Sequence, residues 1–152
     1  MSDTTISSTT ESGDTILIIE DNQAAWASSN ALFALRPAPE ILALNKAALT
    51  VRGYRVLDAD TISRGRALFE QESPDLIMLD VEMPDGSGLC FCKELRSRTA
   101  IPILFLSGLC ASRDIVAGLK AGSNDYVLKP YDLPVLIAKI EAQIRNHRLQ
   151  RG

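Results

Sequence analysis

Glu20, Asp21, Asp80, Ser107 and Lys129 each end or directly follow a short apolar run. TILII (15–19) leads into Glu20 and Asp21, LIML (76–79) into Asp80, ILFL (103–106) into Ser107, and YVL (126–128) into Lys129 and Pro130. Clustered carboxylates repel one another unless a cation lies among them. Oxygen ligands beside phosphate chemistry suit Mg²⁺, which takes few carboxylates and keeps waters. One carboxylate can then act as a nucleophile toward phosphorus. A hydroxyl and an ammonium can bind the oxygens of the attached phosphoryl group.

Such a constellation works only if the runs lie side by side. With Arg55–Ala59, introduced by the turn signal Gly53-Tyr54, there are five runs, apolar on both faces as strands of a buried parallel sheet should be. Between them lie helical patterns. Ile41, Leu44, Ala48 and Val51 step by three and four residues, as do Leu133, Ile137, Ile140 and Ile144; Thr61–Glu72, Leu89–Arg96 and Arg113–Ala121 are shorter candidates, with Gly122 as a helix stop. Five strands alternating with helices predict an open, doubly wound α/β sheet. In such sheets ligands gather beyond the carboxyl ends of the strands, the edge on which the five polar residues fall.

The 152 residues fit one domain, and a net charge of -3 gives no electrostatic reason for direct nucleic-acid binding. No apolar run approaches the ~20 residues of a membrane span. The start lacks a basic segment followed by an apolar one, so no signal peptide is expected. Three cysteines give no disulfide framework, which suits a reducing cytoplasm. With one histidine, a Cys/His zinc site lacks ligands; Cys92, in step with Leu89 and Leu95, reads as core. Residues 1–14, mostly Ser, Thr and acidic, are expected to be a disordered tail, with the domain over 15–150.

ILIIEDN (16–22), PDLIMLDVEMPDGSGL (74–89), PILFLSG (102–108) and AGSNDYVLKPYDL (121–133), in this order, resemble the receiver domain of bacterial two-component response regulators. The resemblance implies a flavodoxin-like (βα)₅ fold. It makes Asp80 the phosphoacceptor, with a histidine kinase or histidine phosphotransfer protein as donor. Glu20 and Asp21 become the acidic pair that holds Mg²⁺, completed by Asp80 and the backbone carbonyl of Glu82. Lys129 would pair with the phosphoryl oxygens, ahead of a cis peptide to Pro130. Ser107 would be the switch hydroxyl and Tyr126 the rotating aromatic. The output surface would be the fourth helix, fifth strand and fifth helix, a dimerising face in relatives with winged-helix effectors; Lys120, Asp125, Lys139 and Arg145 are its candidate charges. A single helix follows the last strand, so the chain reads as either a single-domain regulator or part of a longer one.

Two features depart from that pattern. The 30 residues from 23 to 52 are about twice what one connection and one helix need, and the surplus is Gln23–Ala38, carrying Trp26 and Phe33. It reads either as an extended first helix packed on the sheet, or as a cover over the site or a partner-docking helix. Glu82 and Leu109, two residues beyond Asp80 and Ser107, are ill suited to position an attacking water, so slow self-dephosphorylation is expected. Other readings stay open for single residues: Ser107 as the cap of the fourth helix, Tyr126 as a packed strand aromatic. Two rival functions remain as well. One is a pseudo-receiver that folds and binds without phosphorylation. The other is a phosphatase-like enzyme using Asp80 and Glu82 as nucleophile and acid, although such nucleophiles usually end the first strand.

Overall fold

The computed structural model describes residues 13–21 and 38–151. Five parallel strands, β1 (Thr15–Ile19), β2 (Arg55–Ala59), β3 (Leu76–Asp80), β4 (Ile103–Ser107) and β5 (Asp125–Leu128), lie in the order β2-β1-β3-β4-β5. Helices α1 (Ala38–Val51), α2 (Ile62–Glu72), α3 (Gly88–Arg96), α4 (Ser112–Lys120) and α5 (Leu133–Arg151) connect and follow them. A short antiparallel hairpin, Glu82–Met83 with Gly86–Ser87, intervenes between β3 and α3. This is the open, doubly wound sheet that the alternation of runs predicts, in the flavodoxin-like form that the resemblance implies. The three central strands are buried at every residue, whereas β2 and β5, at the edges, are not.

Side-chain alternation along the strands divides the core in two. Leu17, Ile19, Ile77, Leu79, Ile103, Phe105 and Tyr126 pack with Ile62 of α2 and with Phe91, Cys92 and Leu95 of α3. Ile16, Ile18, Leu76, Met78, Leu104, Leu106 and Val127 pack with Leu49 of α1 and Leu136, Ile137, Ile140 and Ile144 of α5. Each fully buried Leu or Ile contributes about 1.5–3 kcal/mol, so this double layer dominates the stability of the fold. Cys92 is core as expected, its thiol pushed up in pKa by burial, while Cys90 and Cys110 are exposed.

The α1 stripe needs correction. Leu44 and Val51 face solvent, at 65% and 86% exposure, and the residues turned to the sheet are Asn45 and Leu49. Asn45 tolerates that burial because its amide donates to the Tyr131 hydroxyl. Ile41, the first residue of the expected stripe, lies with its side chain outside the described residues, as does all of Gln23–Ala38 except the helical backbone of Ala38.

Loops are tied by polar side chains that the sequence did not single out. Arg96 donates to the carbonyls of Gly122 (2.6 Å) and Ile101 (2.7 Å) and to Asn124 Oδ1 (2.6 Å), joining the ends of α3 and α4 to the sheet. Gly122, with φ 111°, ends α4 as expected. Thr61 caps α2 through Arg64 N–H, and Asp85, from the hairpin, accepts from Ile62 N–H (2.8 Å) and Ser63 N–H (3.0 Å). The carboxylate thus caps α2 from another loop, and those two N–H groups hold its pKa below the usual range. A depressed folded pKa means stabilisation that is present above the unfolded pKa and lost as pH falls through the folded one. Asp85→Ala is therefore expected to cost about 1 kcal/mol at neutral pH, as cap deletions do. The difference from the parent should shrink on acidification in denaturant titrations, and a pH-independent loss would contradict the capping role.

Candidate functional site

Parallel pairing brings the carboxyl ends of β1, β3, β4 and β5 to one edge, where β3 puts Asp80 opposite Leu106 and β4 puts Ser107 opposite Leu128. Glu20 and Asp80 continue the alternation of Ile18 and Met78, on the side of α1 and α5. Ser107 and Tyr126 continue that of Phe105, on the side of α2 to α4. The carboxylates and the hydroxyl–aromatic pair therefore approach the edge from opposite faces of the sheet.

Lys129 joins the acidic residues. Its Nζ lies 3.0 Å from Glu20 Oε1 and 3.0 Å from Asp80 Oδ2, with all three side chains largely buried (11%, 5% and 8% exposed). The peptide bond from Lys129 to Pro130 is cis. Burial by itself would lower the ammonium's pKa; Glu20 and then Asp80 outweigh it and leave the pKa raised. Asp80 behaves in the opposite way. Desolvation raises its pKa, and Lys129 together with the Glu82 N–H, at 3.4 Å from Oδ1, recovers only part of that cost. The negative charge of Asp21 adds to the strain on Asp80.

Backbone packing holds Asp80 in place. Gly88 N–H donates to the Val81 carbonyl at 2.6 Å, and a Cβ at Gly88 would stand 2.1 Å from the Asp80 carbonyl oxygen. Backbone cannot yield as a side chain does, so this close approach of α3 to β3 requires glycine. Ser107 is 2% exposed and accepts from Leu109 N–H at 3.0 Å. It does not cap α4, whose cap position is Ala111. Tyr126 is 8% exposed, packs against Phe105 with ring centroids 6.0 Å apart, and donates its hydroxyl to the Leu109 carbonyl at 2.9 Å. Glu82 and Leu109 line one groove beside the site with Val81, Met83, Gly86 and Ser87.

The donor chemistry fits a small, hard cation. Asp80 is a desolvated carboxylate whose charge is only partly compensated, Asp21 bears on it, and the Glu82 residue follows in the loop. Among the described residues no three His, Cys, Asp or Glu side chains form a metal cage by themselves. An ion here would draw on two carboxylates, a carbonyl and water, which is the ligation Mg²⁺ favours. The Glu20 carboxylate is turned to Lys129.

A flavodoxin-like sheet with an acidic strand-end cluster and a bridging lysine is the architecture of CheY-like receiver domains. The chain belongs to the response regulator receiver domain family, whose model matches residues 37–141. The KDP operon transcriptional regulatory protein KdpE of Escherichia coli is 35% identical over 132 residues, 87% of this chain and 52% of that protein. The nisin biosynthesis regulatory protein NisR of Lactococcus lactis is 36% identical over 131 residues, 86% of this chain and 50% of that one. The chain thus spans about half the length of these curated relatives. Among solved structures, the BeF3-activated receiver domain of Klebsiella pneumoniae RstA superposes with a TM-score of 0.73 at 26% identity, covering 87% of this chain and 99% of that one. A CheY-like receiver domain protein from Methanospirillum hungatei gives 0.74 at 25% identity, covering 91% and 98%. No described helix is long and apolar enough to cross a membrane.

Because burial raises the folded pKa of Asp80, its ionised form is disfavoured in the fold. That cost is present above the folded pKa and vanishes as pH falls through it toward the ordinary carboxylate range. Asp80→Asn, measured in EDTA, should melt a few degrees above the parent at neutral pH. The gap should close as the pH is lowered. A variant less stable than the parent at neutral pH would contradict this electrostatic account.

Proposed function

We propose that this receiver domain takes a phosphoryl group on Asp80 from a histidine kinase or a histidine phosphotransfer protein. The observation that carries the reading is the Lys129 ammonium held 3.0 Å from Asp80 by a second carboxylate, Glu20. A carboxylate oxygen of Asp80 forms the new bond to phosphorus while the P–N bond to the donor histidine breaks. The imidazole leaves with the electron pair and takes a proton from solvent. Mg²⁺, drawn by Asp21, Asp80 and the Glu82 carbonyl next to Glu20, would neutralise charge on the transferring group. Lys129 then exchanges its bond to the Asp80 carboxylate for one to a phosphoryl oxygen.

Ser107 lies at the neighbouring strand end and is suited to donate to a second phosphoryl oxygen by turning away from Leu109 N–H. Leu109 is also the acceptor for the Tyr126 hydroxyl, so a shift of this loop alters the packing of Tyr126 and the α4 face. On that face Val116, Leu119, Leu128 and Val135 are exposed, and Lys139 pairs with Asp125 at 2.7 Å. Its readout would be homodimerisation through α4, β5 and α5, with no direct nucleic-acid contact by this domain. The intact Lys129 bridge weighs against the pseudo-receiver reading, and the place of Asp80 on the third strand weighs against the phosphatase-like one.

Incubation with acetyl phosphate should add one phosphoryl group to the intact mass with Mg²⁺ and none with EDTA, and Asp80→Asn should stay unlabelled. A folded, Mg²⁺-loaded protein that gains nothing would overturn the proposal. Because exposed Glu82 and partly buried Leu109 line the groove beside the site and neither is suited to position an attacking water, the phosphorylated domain should decay slowly. A half-life of seconds after removal of the donor would contradict that expectation.

A further inference from the structure

Buried polar side chains are costly unless paired, so each calls for an explanation. Asp14, Thr15, Glu20, Asn45, Asp80 and Ser107 are the buried polar residues of the described chain. Asp14 pairs with Arg148, and Thr15, at the start of β1, has its backbone N–H bonded to Asp75. Glu20, Asp80 and Ser107 belong to the site above. Asn45 remains: 3% exposed in the middle of α1, where asparagine is a poor helix former and leucine would fill the same core position.

Its partner explains it. The Asn45 amide donates to the Tyr131 hydroxyl, which stands two residues after Lys129 with only Pro130 between. Tyr131 packs against the same core layer as Leu49, Val127 and Leu136. Burial first, and then the Glu20 charge, push its phenol up to about 12; Asn45 and Lys129 oppose the rise. Tyr131 therefore lies within reach of the Glu20 carboxylate and of the Lys129 ammonium. It stays a neutral phenol at any physiological pH and accepts from Asn45.

We propose that Asn45 and Tyr131 are positioning residues: their hydrogen bond ties α1 to the loop after β5 and so fixes the Lys129 ammonium between Glu20 and Asp80. Pro130, with its restricted φ, leaves little slack between the tethered Tyr131 and Lys129. A purely apolar pair would fill the same volume without direction; a hydrogen bond imposes one register of the loop against the helix. The inference rests on the reading of Asp80 as phosphoacceptor.

Single variants of a buried pair leave the other polar group orphaned, whereas replacing both by apolar groups of similar shape is nearly neutral for stability. The test is therefore the double variant Asn45→Leu/Tyr131→Phe beside the parent and Tyr131→Phe. Initial phosphorylation rates with acetyl phosphate and saturating Mg²⁺ are read with melting temperatures and the ¹⁵N signal of the Lys129 ammonium. The expected result is a double variant that melts like the parent but labels about ten-fold more slowly, the cost of a displaced catalytic group. Its ammonium resonance should broaden or move, a readout that does not depend on labelling. A double variant that labels at the parental rate with an unchanged ammonium signal would overturn the clamp, since packing alone would then suffice. A parent that takes no label sinks the phosphoacceptor reading instead, and the ammonium signal still decides whether the pair positions Lys129.

Discussion

One ammonium between two buried carboxylates sets the terms for the rest of this structure. Glu20 and Asp80 stand at the ends of neighbouring strands of a sheet whose central members are buried throughout, and the Lys129 ammonium bridges them at 3.0 Å from each. Burying charges is costly even when they are paired. The balance is uneven: Lys129, with two partners, ends with a raised pKa, and Asp80, with one ammonium and a nearby Asp21, is still pushed toward its neutral form. A carboxylate held ionised against its surroundings is a group for which a cation, or conversion to an acyl phosphate, changes the local electrostatics strongly.

The fold serves that cluster by geometry. Parallel pairing aligns strand ends at one edge, and alternation assigns Glu20 and Asp80 to the α1 and α5 side and Ser107 and Tyr126 to the other. Charge and hydroxyl thus reach the same edge from separate core layers. Ser107 and Tyr126 both bond to Leu109, which packs on the layer of Phe105 and Tyr126. Gly88, whose Cβ would collide with the Asp80 carbonyl, keeps the strand seated on α3.

Much of this was legible in the residues. Apolar runs on both faces marked the strands, and polar residues directly after them marked the edge, because burial and strand ends leave local signatures. Cys92 and Gly122 were equally readable. What local pattern misses is polarity turned inward. Counting apolar residues on α1 placed Leu44 and Val51 in the core, whereas Asn45 goes inside since Tyr131, 86 residues away, accepts its amide. Asp85 capping α2 and Arg96 gathering carbonyls from two loops are likewise long-range bonds without a spacing rule. The insertion at Gln23–Ala38 is plain in the sequence by its length alone and lies outside the described residues, save for the backbone of Ala38.

The central claim is that Asp80, a buried carboxylate bridged to Lys129 and pushed toward its neutral form, is the group that takes phosphorus. Borohydride reduces an acyl phosphate on aspartate to homoserine, which marks the acceptor in the chain. Reduction after labelling with acetyl phosphate, followed by peptide sequencing by mass spectrometry, is the direct measurement. The account predicts homoserine at position 80 and nowhere else. Homoserine at position 21, or spread over several aspartates, would contradict it.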